Sequence, residues 1–457
     1  METKNALAGI FTLAEGMQAE LSALRRDLHR HPETGWTELR TSALIAQRLT
    51  ALGFDEVLVG EAVCDRASRL GLPSGEALEA ADRRAKAQGA DPVFLEAARG
   101  GMTGVIGVLR CGEGPVVALR FDIDALPIRE DDGADHLPAA EGFRSETEGV
   151  MHACGHDGHT AIGLGTAKLL CNLRQRLQGT VKLIFQPAEE GVRGAKAIVE
   201  KGHLDDVDFL LGAHLGGDRS IQTPTIGVGA NPTLATRKLD VCFHGKAAHA
   251  CLAPDAGNNA MLAAATAILN LHAIPRCGDA PTRVNVGRMT AGSGRNVICD
   301  RAVLELEVRG LTTAANDYMT DYAERIVRAA AQMHGCTCEI ALRGEAAGDR
   351  NSPALCERVL TVCRDGLGLP VCRLDEETGG FISEDYSLLA ERVRAHGGQS
   401  CYFKNLAACA APIHDPRFDF PERALVTGAA AFAGVTAELL SAGPTGTEGT
   451  DSSPRSE

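Results

Sequence analysis

The sequence predicts an α/β protein in which a mixed sheet carries helices on both faces and a smaller ferredoxin-like α+β domain is inserted. Three observations predict it. Short apolar runs of strand length alternate with helical periodicities through the first half of the chain. Near residue 229 the pattern changes to strands that alternate apolar and polar residues, and signals of the first kind resume after 350. The expected division is a main domain over 1–228 and 344–440, an inserted domain over 229–343, and a disordered Gly/Ser/Thr/Pro-rich tail over 441–457.

Leu21, Leu24 and Leu28, then Leu44, Ile45 and Leu49, recur at helical spacing across 16–52, with a break at His31-Pro32. The Ala-, Glu- and Arg-rich stretch 61–101 predicts one or two surface helices. Residues 104–109 and 115–121 read as apolar strands, and Ile162, Leu164, Leu169, Leu170 and Leu173 predict a helix over 160–177. Residues 181–185 form a further strand, stopped by Pro187. Such strands, alternating with helices, indicate a sheet buried on both faces. Beyond 229, Leu239, Val241 and Phe243 alternate with polar residues, and a helix runs through 259–274. Val284 and Val286 mark a second strand; Leu304, Leu306 and Val308, alternating with Glu305, Glu307 and Arg309, mark a third. A helix over 315–333 and a strand near 337–343 complete the order β-α-β-β-α-β.

At 457 residues and 44% hydrophobic content the chain can build more than one core. A net charge of -14 argues against nucleic acid or an anionic membrane surface as the main partner. The chain has no apolar run of membrane-spanning length and no basic-then-apolar leader, so a cytoplasmic protein is expected. Fifteen cysteines, an odd number scattered through strands and helices, fit reduced thiols.

The chemistry concentrates in Met151-His152-Ala153-Cys154-Gly155-His156-Asp157-Gly158-His159. Cys154 and His156 are two apart, so an extended segment would aim both at one metal, with Gly155 keeping the backbone tight. The alternative is a buried or reactive cysteine beside surface histidines. Asp122 and Asp124 end an apolar strand on one face, where catalytic groups gather, although a capped turn before Leu126-Pro127 has the same pattern. Glu189 and Glu190 follow a buried strand, and adjacent carboxylates there repel unless a cation compensates. Neighbours in extended chain point apart, so one can bind a metal while the other meets water or substrate; a solvated acidic turn is the alternative. His214 follows the apolar stretch 209–213, and His414 lies in Pro412-Ile413-His414-Asp415. Together Cys154, His156, Glu190, His214 and His414 are enough donors for two adjacent metals with open positions.

Segments 120–127, 151–159, 186–191, 245–250, 292–297 and 383–385 together resemble the M20 class of metallopeptidase-type amidohydrolases, in the branch with aminoacylases and indole-acetyl-amino-acid hydrolases. The resemblance implies that Cys154, His156, Glu190, His214 and His414 bind two divalent metal ions in each protomer. A thiolate favours Zn2+, while the branch suggests Mn2+. It also implies that Glu189 is general base to a metal-activated water and later proton donor to the leaving amine, and that Asp124 orients a ligand. Asp122 stands where related di-zinc peptidases carry a ligating histidine, and His152 and His159 remain as supporting residues. The inserted domain becomes a lid and dimerisation domain, in which His249, Asn296 and Arg309 hold the substrate carboxylate and polarise the scissile carbonyl, sometimes across a dimer interface. Arg309 suits a carboxylate by its planar fork, but Glu305 or Glu307 could pair with it, and His249 could be a packed core residue. Cys251 and Asn258 stand where relatives carry glycine and, often, histidine.

The stretch 61–101, segment 283–287 and Phe418-Asp419-Phe420 resemble the glutamate-conjugate hydrolases of that branch. This implies an N-acyl-glutamate substrate, p-aminobenzoyl-glutamate, split to p-aminobenzoate and glutamate. It also implies a homologous second subunit, in a heterodimer or a homodimer. Hydrolysis of other N-acyl or indole-acetyl amino acids is the alternative within the class; a catalytically silent partner subunit is the alternative outside it. A silent subunit has no reason to keep a costly charged site.

Overall fold

The computed structural model describes residues 2–374 and 382–441, so the tail expected over 441–457 lies, beyond Ser441, outside the described residues. Two sheets organise the chain. The strands are β1 (Glu56–Val59), β2 (Val105–Arg110), β3 (Val116–Asp122), β4 (Thr180–Gln186), β5 (Phe209–Gly216), β6 (Thr225–Gly229), β7 (Ala235–His244), β8 (Thr282–Ala291), β9 (Arg301–Gly310), β10 (Thr337–Ala346), β11 (Val371–Leu374) and β12 (Gln399–Leu406). The larger sheet has the order β1-β2-β4-β3-β5-β12-β6-β11. Its centre, β4-β3-β5-β12, is parallel, while β2 and β6 run antiparallel to their central neighbours. The strands β1, β6 and β11, short or lacking a long apolar run, were not singled out by the sequence pattern.

Helices cover both faces of this sheet. On one, Gln18–Arg30, Leu39–Ala51, His156–Leu173, Pro353–Thr361 and Arg423–Leu439 pack with Phe121, Phe185 and Phe403. On the other, Ala195–Val199 and Tyr386–Ala395 pack with Ala118, Ile184, Tyr402 and Trp36. Period-2 alternation along β3 and β4 therefore sends apolar side chains both ways, the condition for a sheet buried on both faces. The 61–101 stretch forms helices Gly75–Ala87 and Pro92–Ala97. Ser74 and Asp91 cap them by accepting from Ala77 N and Val93 N, and Pro92 occupies the first turn, where no N–H is missed.

The smaller sheet has the order β10-β7-β9-β8, antiparallel throughout. With helices Ala260–His272 and Thr313–Met333 it has the β-α-β-β-α-β order expected from sequence. Asn259 and Thr312 cap these helices. Leu239, Val241, Phe243, Leu304, Leu306 and Val308 pack against them, leaving the other face of the sheet to polar side chains.

Helix 160–177 of the sequence reading begins and ends earlier, as His156–Leu173. Gly155 has φ 85°, a conformation natural only to glycine, and turns the chain so that the histidine run itself forms the first helical turn. Cys154 and His156 thus converge through a turn, not through an extended segment.

Close packing at the sheet centre makes a prediction. A Cβ on Gly212 in β5 would lie 2.6 Å from the Tyr386 ring and 2.7 Å from that of Tyr402. Gly212→Val is expected to destabilise the fold by about 1–3 kcal/mol through overpacking, read as a lowered urea midpoint with unchanged m-value.

Candidate metal centre

The C-terminal ends of β3, β4 and β5, the first turn of helix His156–Leu173 and the loop after β12 meet at one point, as ligand sites do in sheets of this kind. Five groups of donor atoms lie there, the atoms of each within 4.8 Å of one another: Cys154, His156 and His214; Asp122, His156 and His159; Cys154, Glu190 and His414; His156, Glu189 and Glu190; and Glu189, Glu384 and Asp385. Cys154 belongs to two of them, with its Sγ 3.4 Å from His214 Nε2. His414 Nε2 is 3.5 Å from Glu190 Oε1. His414 reaches the site because its N–H donates to Ala153 O (2.7 Å), with its backbone held at φ 67°. Strained backbone of this kind persists where the surroundings impose it.

The hydrogen bonds around the site decide which atoms are free. His214 Nδ1–H donates to Leu215 O (2.6 Å), which leaves the Nε2 lone pair facing Cys154. His159 has both nitrogens engaged: Nδ1–H donates to Asp122 Oδ1 at 2.5 Å, and Nε2 accepts from Leu215 N at 2.8 Å. The group Asp122, His156 and His159 is close enough to hold an ion, yet His159 has no lone pair to give, and it acts on His214 through Leu215. Both nitrogens of buried His156, and Glu190 Oε1, make no hydrogen bond. Unpartnered buried donors converging with a thiol fit a metal, which would satisfy them together.

Asp124 ties the two halves of the site. Its carboxylate accepts from the backbone N–H groups of Glu189 and Glu190, both at 3.0 Å, and its Oδ1 stands 3.4 Å from His156 Nδ1. The glutamate turn is pinned further by Glu38, which accepts from Ala188 N (2.8 Å) at a residue with φ 51°. Burial, with Asp124 adding, pushes Glu38 up to about 8. Asp122 is not free to bind an ion: its second oxygen accepts from Arg120 Nη1 at 2.6 Å.

Electrostatically the site is an acidic cluster around one guanidinium. Arg120, fully buried, donates to Gln186, Asp122, Glu384 and Asp385. Asp385 also accepts from Gly194 N and Ala195 N, and Glu384 from Tyr402 OH. Burial, reinforced by Glu384, Glu190 and Asp385, holds the Glu189 carboxyl well above its ordinary range. Burial and then His159 and Lys404 keep His214 neutral, and the contacts to Cys154 and Glu190 raise His414 to about 10. His152 is buried with both nitrogens unpartnered, and burial lowers it to about 4.

A second buried network anchors the helix behind the site. Asp157 accepts from Arg25 Nε and His29 Nδ1, both at 2.8 Å, and Arg25 also donates to Asp419. His29 and His136 each place Nε2 2.9 Å from Glu130 Oε1.

The inserted domain divides the remaining candidates. Arg309 forks onto Glu307 at 3.1 Å through both Nε and Nη2, and its Nη1 is 3.4 Å from Ser383 Oγ, beside the acidic cluster. His249 and Asn296 are exposed, not packed in a core, and lie together at the other end of the small sheet, where Ala250 N donates to Asn296 O. Residues 301 to 309 alone span about 26 Å of extended strand, so one chain does not bring His249 to Arg309. Sequence reasoning gave no role to Arg120, Glu38, Arg25, Lys238 or Lys404. The available signal was an arginine inside the apolar strand β3; Lys404 pairs in register with His214. All fifteen cysteines are free, and no helix among the described residues is long and apolar enough to cross a membrane.

Comparison with known proteins agrees with this geometry. The family model of peptidase family M20/M25/M40 matches residues 118–438. The chain is 42% identical over 409 residues to one of the subunits of p-aminobenzoyl-glutamate hydrolase from Escherichia coli strain K12, covering 89% of this chain and 92% of the relative. It is 43% identical over 411 residues to an indole-3-acetyl-aspartic acid hydrolase of Enterobacter agglomerans, with the same coverage, 89% and 92%. The crystal structure of an aminobenzoyl-glutamate utilization protein from Klebsiella pneumoniae superposes with a TM-score of 0.79 at 36% identity, covering 93% of this chain and 97% of that one.

Two predictions follow from the buried charges. Arg120→Met leaves Asp122, Glu384 and Asp385 uncompensated and is expected to cost about 3–5 kcal/mol, measured by urea denaturation. Burial opposes ionisation of Glu130, but His136 and His29 hold it at about 2, below its ordinary 4.5. A depressed carboxylate stabilises the fold above its unfolded value and loses that contribution as pH falls through the folded one. The stability advantage of the parent over Glu130→Gln, on the order of 3 kcal/mol at pH 6, is therefore expected to shrink between pH 4.5 and 2 in thermal melts across that range.

Proposed function

The chain belongs to peptidase family M20/M25/M40, and from that premise we propose that it hydrolyses the amide bond of p-aminobenzoyl-glutamate, releasing p-aminobenzoate and glutamate. The single observation that carries the reading is the convergence of Cys154, His156, Glu190, His214 and His414 with unpartnered donor atoms beside a second carboxylate, Glu189. Cys154, shared by two donor groups, would with His156, Glu190, His214 and His414 hold two divalent ions; a thiolate fits Zn2+, while the hard carboxylate also admits Mn2+. When bound, the ions acidify a water and stabilise charge on the carbonyl oxygen. Glu189, kept in its place by Asp124 and raised by burial, takes the proton of the attacking water and returns it to the leaving amine. Asp124 orients His156, and Arg309 with Ser383 borders the substrate cleft.

A homologous second chain completes the assembly in this reading. β8 is an edge strand, and Met289 on it joins Met261, Leu262 and Leu269 of the adjacent helix as exposed apolar surface. His249 and Asn296, remote from Arg309 in their own chain, then serve the centre of a partner. The composition and the reduced cysteines support a cytoplasmic setting. The similarity to an indole-3-acetyl-aspartic acid hydrolase favours one second reading, an acyl-aspartate substrate.

Metal content and p-aminobenzoyl-glutamate hydrolysis, measured with and without the partner chain, test the proposal. Glu189→Gln is expected to lower kcat about 10^2- to 10^4-fold with metal content retained, and chelation to abolish turnover reversibly. Full activity in Glu189→Gln, or faster cleavage of neutral acyl amino acids by the parent, would overturn the mechanism or the substrate respectively.

A further inference from the structure

The polar face of the small sheet carries, beside Arg309, two cations that the proposed chemistry does not use, Lys238 and Arg283. On β9, Glu305, Glu307 and Arg309 alternate away from the buried Leu304, Leu306 and Val308; on β7, Lys238 and Asp240 alternate away from Leu239 and Val241. In register, Lys238 lies opposite Glu307, and Arg283 on β8 lies directly opposite Arg309. Two guanidinium groups facing each other across a ladder are unfavourable unless an anion joins them. The one carboxylate among these four, Glu307, is already taken by the fork of Arg309. A cavity of about 350 Å³, lined by Leu234, Pro281, Arg283, Glu307 and Arg309, opens beside the pair.

Lys238 sits on a part of the small sheet that abuts the glutamate turn. Its neighbour on β10, Gly344, is so near the chain past Glu190 that a Cβ there would lie 2.1 Å from Gly191 O, and Glu345 N donates to Val192 O. The ammonium makes no hydrogen bond or ion pair with any described residue, although it is partly buried. Burial depresses its proton affinity; Glu307, Glu189 and Glu190 oppose that fall, while Arg309 adds to it. An unpaired lysine held between a hydrolytic centre and an arginine pair is placed to receive an anion.

We propose that Lys238, with Arg283 and Arg309, receives the two carboxylates of an acidic amino-acid leaving group, Lys238 meeting the one on its side chain. The inference rests on the acyl-glutamate reading above and deepens it: it makes the second carboxylate, not the acyl group, the selected feature. Glutamate and aspartate conjugates then share one receptor, and neutral conjugates leave Lys238 without a partner.

The test compares kcat and KM of the metal-loaded full chain, with its partner chain where turnover requires it, on p-aminobenzoyl-glutamate and on its isostere p-aminobenzoyl-glutamine, which keeps the α-carboxylate but has an uncharged side chain. In Lys238→Met the preference, the ratio of kcat/KM for the glutamate over the glutamine conjugate, is expected to fall about 100-fold, carried mainly by KM for the glutamate conjugate. Lys238→Arg, which keeps the charge, is expected to return the ratio to within about tenfold of the parent. An unchanged ratio in Lys238→Met, whatever happens to the overall rates, overturns the role of Lys238 while leaving the hydrolase reading intact. A parent enzyme that cleaves neither acyl-glutamates nor acyl-aspartates overturns both.

Discussion

The guanidinium of Arg120 is the group on which the architecture of the site depends. Parallel strand ends concentrate side chains at one edge of the sheet, and here that edge gathers Asp122, Asp124, Glu189, Glu190, Glu384 and Asp385. So many carboxylates in a buried place repel one another and lose their hydration. Arg120 engages three of them and Gln186 at once, each donor in hydrogen-bonding reach. It thereby joins β3, β4 and the segment before helix Tyr386–Ala395 into one unit. Of the three carboxylates it does not touch, Asp124 is taken up by the backbone of the glutamate turn, which leaves Glu189 and Glu190 as the pair that faces cations from outside the chain.

Orientation is layered outward from the proposed ligands. His214 is fixed by a carbonyl, His159 by Asp122 and Leu215, and His156 stands against Asp124, which also holds the backbone of both glutamates. In His214 the usable nitrogen is selected by what the other nitrogen binds. Behind them Arg25, Asp157, His29 and Glu130 tie the first turn of the central helix to the helix Gln18–Arg30. The proposed ligands, drawn from four separate segments, are therefore held by hydrogen bonds that the protein makes among its own groups.

The α/β class and the inserted β-α-β-β-α-β unit were legible because burial leaves a periodicity, two-residue in β9 and longer in the helices. The two-strand edge β6–β11 was not, since strands of four or five residues carry too little pattern. Histidines and carboxylates of the site were legible as residue types, but not their division of labour. Asp122 and Asp124 share a strand end and a face in sequence; only the positions of Arg120, His159 and the Glu189–Glu190 backbone separate a charge-balancing residue from a positioning one. Likewise His159 and His156, three apart in one helical turn, differ because Leu215 N–H reaches one while neither nitrogen of the other makes a hydrogen bond. Long-range hydrogen bonds of this kind leave no local mark in the chain.

The two sheets carry different kinds of specificity. The larger one is buried on both faces and holds its polar groups in closed networks, which suits a centre whose geometry must not vary. The smaller one keeps an open polar face, on which Arg309 satisfies itself with Glu307 and Lys238 makes no hydrogen bond or ion pair among the described residues. Selectivity can drift on such a face without disturbing the fold, because its apolar residues point to the helices and its charges do not. The Gly344–Gly191 contact and the Glu345–Val192 hydrogen bond couple the two sheets beside the glutamate turn. A substrate anion bound on the small sheet, as proposed, would thus be registered against the glutamate turn.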